Sequence, residues 1–547
     1  MRYFLLVAFL LQLFGCIKDA SETSEFVRLE GKEFYQKDEP FYPLILNYVV
    51  GFYYVEGHFV LGPSMDYDIP NKIEWDTKDS MLSHMNAHFQ MIKDMGFNTV
   101  RIMDLHKLNY HKFHPSAALL YHVGDTSHYF KLDKEVNDFR SALKDLGTVA
   151  KKHELKLLIT LPRPREQDVF NRTRRRFIKE ILVAYKNEPT VFAYDFFNEP
   201  LYFDNAEFLE DNSPTAYSNI LRTKLEAKRL STEWDKLMQA YAPNQLSTLS
   251  LAEPIEVLEW DASLMDVDFI SIHTYNPLRV PNEIYWYGKY LDKPWIVSET
   301  ALPADNDSIR YDLMTEFMRA SYQSAINCGA SGYGWWQYQE TFWGHSEFNF
   351  TGLIAINGIN KNTKGQRIIG TPKPAANSFR RIVEETKKEE CKCAVNYQNM
   401  LGYSNYLHLG KVVDKESGDP IKGAVVRGYL KDWSNGINTY TDGNGDFELY
   451  SNDTLLHFEV SAFGKEKFGQ SYNIQYLIAD TQKEINDKVR KLSYEQISFL
   501  DFYDDKSQSE IISTNSIFNF NKSAFQQYVF KALVPVIELE KTEVENE

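Results

Sequence analysis

The chain alternates between short apolar runs and longer segments in which apolar residues recur every three or four positions. The apolar runs have the length and composition of strands buried on both faces of a parallel sheet. In the first longer segment, Met81, Met85, Phe89 and Ile92 share one helical face, and Gly96 provides a signal for helix termination. The pattern predicts eight strands, at residues 44–49, 98–103, 155–161, 191–197, 245–251, 268–273, 295–299 and 331–336.

A predicted helix follows each of these strands. The helices span residues 80–95, 134–153, 172–186, 217–241, 255–265, 282–290, 308–328 and 374–388. Eight repeated strand–helix units predict an α/β fold, a (β/α)8 TIM barrel over residues 26–390. A polar-edged hairpin at residues 26–42 precedes the first strand, and we expect it to plug the floor of the barrel.

After residue 400 the pattern changes to short strands separated by turn residues. Asp442-Gly443 and Asn444-Gly445 between alternating apolar positions are typical of β-hairpins. The stretches GKVVDKESGDPIKGAVV and TDGNGDFEL resemble the carboxypeptidase regulatory-like β-sandwich, most clearly over residues 407–465. We therefore predict a small all-β sandwich domain within residues 400–547, with a closing strand at 530–539, that serves as a spacer or docking module.

Composition limits the classes of partner. The 547 residues carry a formal net charge of −16, which argues against nucleic acid, because its phosphates require a basic surface. Aromatic residues make up 14% of the chain. Such an excess suits surfaces that stack on sugar rings, and it equally suits large apolar cores.

The first residues predict export rather than part of the fold. Arg2 and the apolar run from Phe4 to Phe14 have the layout of a signal peptide, and the run is too short to span a bilayer permanently. The run ends in Leu13-Phe14-Gly15-Cys16, which resembles the lipobox of bacterial lipoproteins. The resemblance implies a signal peptide at 1–16, acylation of Cys16, a tether at 17–25 and attachment to the bacterial cell envelope as an outer-membrane lipoprotein. The alternative is an ordinary cleaved signal.

The other three cysteines do not predict a disulfide framework. Cys328 lies in a helical apolar pattern and is interpreted as a small buried hydrophobic residue. Cys391 and Cys393 are separated by one residue, which makes a bond between them strained and supplies too few ligands for zinc.

Candidate chemistry stands at the ends of two predicted strands. The fourth strand runs into Asn198-Glu199-Pro200, where proline ends the strand, and the seventh strand ends at Glu299. The carboxyl ends of the strands form the face on which α/β barrels carry out chemistry. Two carboxylates on that face are the minimal equipment for hydrolysis of a glycosidic bond.

At these positions the chain resembles the cellulase-type family 5 of retaining glycoside hydrolases, over residues 26–390. The motifs are GFNTVRIMD with Arg101, YDFFNEP with Asn198 and Glu199, FISIHTYNP with His273 and Tyr275, PWIVSET with Glu299, and GWWQYQE with Trp335 and Trp336. The resemblance implies that Glu199 is the acid/base and Glu299 the nucleophile. It implies neither a cofactor nor a metal.

The resemblance also implies roles for the neighbouring side chains. Arg101 and Tyr275 would keep Glu299 ionised, and Asn198 would donate to the 2-hydroxyl of the sugar. His273 would hydrogen-bond Glu199 or the substrate. One tryptophan would floor the sugar subsite, and of Trp335 and Trp336 the second is preferred because WQY resembles β-mannanases. Further possible substrate contacts are Asp104, His106 and Glu253.

The substrate is predicted as a polysaccharide of the β-mannan or β-glucan type, cleaved internally. One feature suggests an acidic chain instead: six arginines lie near the loop after the third strand, at positions 163, 165, 172, 174, 175 and 176. Guanidinium groups suit carboxylates and sulfates, although charge runs are more often solvated surface.

Other classes of function remain open from the sequence. The alternatives are an exo-acting β-glycosidase on acidic oligosaccharides, a surface glycan-binding lipoprotein without activity, and a structural envelope protein. A chain that ends near Glu390 is expected to keep most activity on soluble oligosaccharides, provided that residues after 466 do not pack into the barrel.

Overall fold

The computed structural model describes residues 25–55, 58–63, 77–103, 105, 120–123, 126–129, 132–161, 168–200, 223–275, 277, 279–307, 309–342, 348–361, 363–392, 406–430, 437–451, 453–474, 476–478 and 530–542. The predicted signal peptide with Cys16 lies outside these residues, as do Asp104, His106, Arg163, Arg165 and Cys393. Among the helices of the described residues, none has the length and apolar character needed to cross a membrane.

Eight parallel strands form a closed barrel in the order of the sequence. Consecutive strands are neighbours, and the eighth closes on the first, with Gly334 opposite Ile45. The predicted (β/α)8 barrel is therefore confirmed. Its strands are Leu44–Val55, Thr99–Met103, Lys156–Thr160, Val191–Asn198, Leu246–Ala252, Phe269–His273, Trp295–Glu299 and Tyr333–Trp335.

Helices surround this barrel, one after each strand in the described part of the chain. They span Lys78–Met95, Leu132–Lys152, Asp168–Tyr185, Lys224–Tyr241, Glu253–Glu259, Val280–Tyr290, Tyr311–Asn327 and Pro374–Glu385. Local sequence sets their ends: the Thr77 hydroxyl caps the first helix, and Gly96 ends it in a left-handed conformation. The helix predicted at 255–265 instead starts at Glu253 and ends at Glu259.

The N-terminal hairpin seals the floor of the barrel, as predicted. Strands Arg28–Glu30 and Glu33–Gln36 pair antiparallel. Phe34, in the second of them, packs against the amino ends of the barrel strands. Its ring meets Phe269 edge-on at 5.1 Å and Phe192 at 6.0 Å. The plug buries the amino ends of the strands, so the carboxyl ends form the face that is left for chemistry.

The described residues after 405 form two sheets, in agreement with the predicted all-β character. In one, Tyr406–Asp414 pairs with Asp446–Ser451 and, in parallel, with Phe530–Leu533 and Ile537–Leu539. The predicted closing strand is thus present as two short strands. In the other, Val425–Tyr429 pairs with the strands Ile437–Tyr440 and His457–Ser461, and Phe468–Ser471 forms the edge.

These sheets pack against the barrel through a buried contact. Trp286 is fully buried; its indole nitrogen donates to the carbonyl oxygen of Gly423 at 2.9 Å, and its ring stacks on Phe463 at 5.8 Å. The Lys224 ammonium donates to the carbonyl of Ala462 at 2.6 Å. The C-terminal sheets therefore share apolar core with the barrel.

The structure corrects the cysteine prediction. Cys328 and Cys391 form a disulfide, with their Cα atoms 4.7 Å apart. The sequence concealed the pair because 63 positions separate the two cysteines. The helix Pro374–Glu385 packs along Tyr311–Asn327, which brings residue 391 back to the end at which Cys328 lies.

Candidate active site

Glu199 stands one residue beyond the fourth strand, on the catalytic face of the barrel. Its backbone N–H donates to the carbonyl oxygen of Ser250 on the fifth strand at 2.9 Å, which continues the sheet contact by one residue. Its φ of +48° lies in the left-handed region, which non-glycine residues adopt at the expense of stability. This turn of the chain presents the side chain beside the sixth strand, where its carboxylate meets His273.

Glu299 ends the seventh strand and is held by two donors. Nη1 of Arg101 donates to Oε1, and the hydroxyl of Tyr275 donates to Oε2. Glu299 is almost completely buried, so both carboxylate oxygens are satisfied inside the protein rather than by bulk water. A guanidinium and a hydroxyl thus donate to Glu299 from two sides and fix the orientation of its carboxylate.

The two glutamates approach each other across His273. One oxygen of Glu199, one oxygen of Glu299 and a ring nitrogen of His273 all lie within 4.8 Å of one another. Nδ1 of His273 lies 2.6 Å from Glu199, and Nε2 lies 3.3 Å from Glu299. Burial lowers the pKa of His273 to about 4, against the opposing charge of Glu299, so the imidazole is neutral at physiological pH.

Arg101 connects this pair to a buried polar network. Nη2 of Arg101 donates to Asp195 at 2.7 Å and to Asn198 at 2.8 Å, and Nη1 donates to Asn47 at 2.9 Å. The Ser250 hydroxyl donates to Asp195 at 2.5 Å. The network thus fixes the guanidinium in the position from which it reaches Glu299.

Of the two candidate tryptophans, Trp335 ends the eighth strand and Trp336 follows it. Trp335 is fully buried, donates to the carbonyl of Thr351 at 2.9 Å and packs against Phe317 of the surrounding helices. These contacts lend no support to the prediction of Trp335 as a substrate contact. Trp336 retains a small exposed surface and precedes a cis peptide bond to Gln337.

The chemistry of the two glutamates and His273 also suits a metal ion. Carboxylate oxygens and an imidazole nitrogen at this spacing are possible ligands. Against a metal stands Arg101, whose positive charge already faces Glu299. A second cation at the same carboxylate would meet direct repulsion, so the residues present fit an organic substrate better than a metal.

The remaining predicted residues fall into different places. Glu253 follows the fifth strand and forms an ion pair of 2.6 Å with Arg279. Arg175 is exposed and pairs with Glu233 of a neighbouring helix, while Arg176 is exposed on the same helix. For these two arginines the structure favours the interpretation as solvated surface.

Sequence reasoning missed the polar residues beneath the glutamates, namely Asn47, Asp195 and Ser250. A signal for Asp195 existed, because a charge in the middle of a buried apolar strand requires a partner. The partner, Arg101, lies 94 positions away, and only the closed barrel brings the two together.

Comparisons with known proteins give no match to a family model or to a curated protein. Among solved structures, a β-glucuronidase 2 of Bacteroides uniformis is 12% identical with a TM-score of 0.44, over 82% of this chain and 47% of that one. The chain thus spans about half the length of that enzyme.

Two shorter enzymes are also similar in structure. An endo-1,4-β-mannanase of Rhizomucor miehei is 16% identical, with a TM-score of 0.38, over 57% of this chain and 90% of the mannanase. A GH5_18 protein of Streptomyces cattleya, in complex with GlcNAc, is 12% identical, with a TM-score of 0.44, over 69% of this chain and 85% of that one. At these identities the likeness is one of fold.

Proposed function

We propose that the protein is a retaining glycoside hydrolase that cleaves a β-linked polysaccharide by double displacement. The observation that carries the proposal is the approach of Glu199 and Glu299, whose carboxylate oxygens come within 4.8 Å. Retaining enzymes hold their two carboxyl groups about 5–5.5 Å apart, whereas inverting enzymes need about 6.5–9.5 Å to admit a water molecule. The spacing therefore supports direct attack by a carboxylate.

The two glutamates have different surroundings and hence different roles. Glu299, which accepts from Arg101 and Tyr275, is the carboxylate that attacks the anomeric carbon, while Glu199 gives its proton to the departing sugar oxygen. In the second step Glu199 takes a proton from water, and that water oxygen displaces Glu299 from the anomeric carbon. The chain returns to its starting protonation, and one glycosidic bond has been replaced by two hydroxyl groups.

His273 contacts both glutamates and helps to give them different roles. A neutral imidazole has one N–H, and we assign its proton to Nε2, which lies 3.3 Å from Glu299. Nδ1 is then an acceptor for the proton of Glu199, 2.6 Å away. In this arrangement the imidazole accepts from Glu199 on one side and presents its N–H to Glu299 on the other, which suits the acid and nucleophile roles of the first step.

The test is hydrolysis of soluble β-mannan and β-glucan chains, with the first anomer of the product observed by NMR. We expect retained configuration, and a loss of several orders of magnitude in rate for Glu199→Gln and for Glu299→Gln. Glu385→Gln, which removes a carboxylate from an exposed ion pair with Arg319, is the matched control. Initial release of the inverted anomer would falsify double displacement, and a ladder of oligosaccharides would support internal cleavage.

A further inference from the structure

A second charged cluster lies beside the two glutamates. Glu253 follows Ala252, whose backbone pairs with His273 in the barrel sheet. Arg279, in the loop after the sixth strand, forms an ion pair with Glu253 at 2.6 Å and approaches Glu283 at 3.7 Å. The cluster therefore lies next to His273, which contacts both Glu199 and Glu299.

The cluster has a buried and an accessible side. The side chains of Glu253 and Arg279 are 15% and 13% exposed, whereas that of Glu283 is 3% exposed. The hydroxyl of Thr274 donates to Glu283 from beneath, and Thr274 lies between His273 and Tyr275. The ion pair of Glu253 and Arg279 is thus partly accessible to solvent, and the carboxylate of Glu283 beside it is buried.

Glu253 and Glu199 reach the face in the same way. Each is the first residue after its strand, and each has a left-handed backbone, with φ of +60° for Glu253 and +48° for Glu199. Non-glycine residues keep such a conformation only where the surroundings hold it, and such residues cluster at active sites. The chain thus presents two carboxylates on neighbouring strands towards the same face.

We propose that Glu253 and Arg279 together bind the hydroxyl groups of a neutral sugar unit next to the cleaved bond. This inference rests on the proposed function, because a polysaccharide must continue beyond Glu199 and Glu299 along the strand ends. A carboxylate accepts from one sugar hydroxyl while an adjacent guanidinium donates to another, so the pair recognises two hydroxyls at once.

The charges of the cluster select against an acidic sugar. The ion pair with Glu253 already uses the charge of Arg279, so a uronic acid or sulfate would have to compete with Glu253 for the guanidinium, whereas a neutral hydroxyl would not. Burial raises the pKa of Glu253, but the charge and hydrogen bond of Arg279 and the charge of Arg427 together lower that pKa below its usual value, so Glu253 stays ionised. Burial raises the pKa of Glu283 to about 7, so above that pH Glu283 adds a second negative charge.

The first test measures binding separately from cleavage. Neutral β-mannan and β-glucan oligosaccharides are titrated calorimetrically into Glu299→Gln and into the double variant Glu253→Gln/Glu299→Gln. We expect binding to weaken about tenfold or more when the carboxylate becomes an amide, since hydrogen bonds to charged groups are the stronger kind. Equal affinities overturn the inference. A melting curve verifies folding, and Arg279→Lys provides a second variant that retains the charge.

The second test measures the choice of substrate. Gluco-oligosaccharides are compared with the same chains oxidised at the primary alcohol to uronic acids. We expect the wild type to prefer the neutral chain. Glu253→Gln should raise KM for the neutral chain about tenfold, with kcat within about twofold of the wild type. The same variant should raise the kcat/KM of the acidic chain relative to that of the neutral chain. Glu385→Gln should leave KM, kcat and the preference between the two chains unchanged. An unchanged KM and ratio in Glu253→Gln contradict the inference.

The two tests separate this inference from the proposed function. If the wild type cleaves neither type of chain while Glu253→Gln still weakens binding, the hydrolase proposal fails and the sugar site remains. If the wild type cleaves with retention and Glu253→Gln changes neither KM nor affinity, the hydrolase remains and the site is wrong. If no oligosaccharide binds or is cleaved, both are wrong.

Discussion

Arg101 places a positive charge in the centre of the barrel, where it is completely buried. Burial lowers the pKa of Arg101, but the charges of Asp195 and Glu299 raise it above its usual value, so the guanidinium remains charged. Asp195 matters because it shares this charge with Glu299 from the opposite side. Glu299 therefore has a fixed donor before any substrate binds, which is the preorganisation that electrostatic catalysis requires.

The hydroxyl oxygen of Tyr275 allows a test of how much one hydrogen bond to Glu299 contributes to the rate. Tyr275→Phe removes the donor to Oε2 of Glu299 and leaves the ring in place. We expect kcat to fall about 10- to 100-fold, because a hydrogen bond to a charged group is lost at the attacking carboxylate. KM and the melting temperature should change little. Tyr285→Phe, at a hydroxyl that accepts from Lys289 on an outer helix, is the control; equal kcat in both variants would contradict the role.

At the scale of elements, the sequence predicts those helices, strands and strand-end residues that a local pattern of apolar and polar positions marks. The barrel strands were found because each is a short apolar run, and Glu199 and Glu299 because each ends such a run. Trp335 and Trp336 could not be told apart by pattern, because two adjacent tryptophans carry no signal for which one faces inwards. The pair of Glu253 and Arg279 was missed because its contact depends on the path of two loops, and loop geometry leaves no periodicity in sequence.

The disulfide ties two elements together, the end of the helix Tyr311–Asn327 and the segment after Pro374–Glu385. Such bonds persist in oxidising compartments, which is consistent with the export predicted from the first 16 residues. Cys328→Ser/Cys391→Ser should lower the free energy of unfolding by about 2–4 kcal/mol, through the freed loop. Denaturant unfolding with and without reductant measures it. Reductant should weaken the wild type and leave the variant unchanged; equal stability throughout would show that the bond is not formed.

At the scale of the whole molecule, the C-terminal sheets pack against the outside of the closed barrel and share apolar core with it. Asp261 at the barrel edge accepts from Lys224 at 3.0 Å and from the backbone N–H of Gly464 at 2.6 Å. Lys467, which lies beyond residue 466, forms an ion pair of 2.9 Å with Glu259. One residue beyond 466 thus contacts a helix of the barrel, which bears on the condition attached to the predicted truncation. The helix Glu253–Glu259 is buried between the two parts and carries Glu253 at its start.

A chain that ends at Lys392 is consequently expected to lose stability and activity, contrary to the prediction from sequence. The cut exposes Trp286 and leaves Asp261 without the N–H of Gly464. In the full chain, Trp286→Ala should lower the free energy of unfolding by about 3–5 kcal/mol, as for other buried aromatic truncations, whereas Leu533→Ala, at a side chain that is 67% exposed, should change it little. Denaturant unfolding and turnover of oligosaccharides are measured for all three. A truncated chain that unfolds at the same denaturant concentration as the full chain, with equal kcat/KM, would show that the C-terminal sheets are a passive spacer after all.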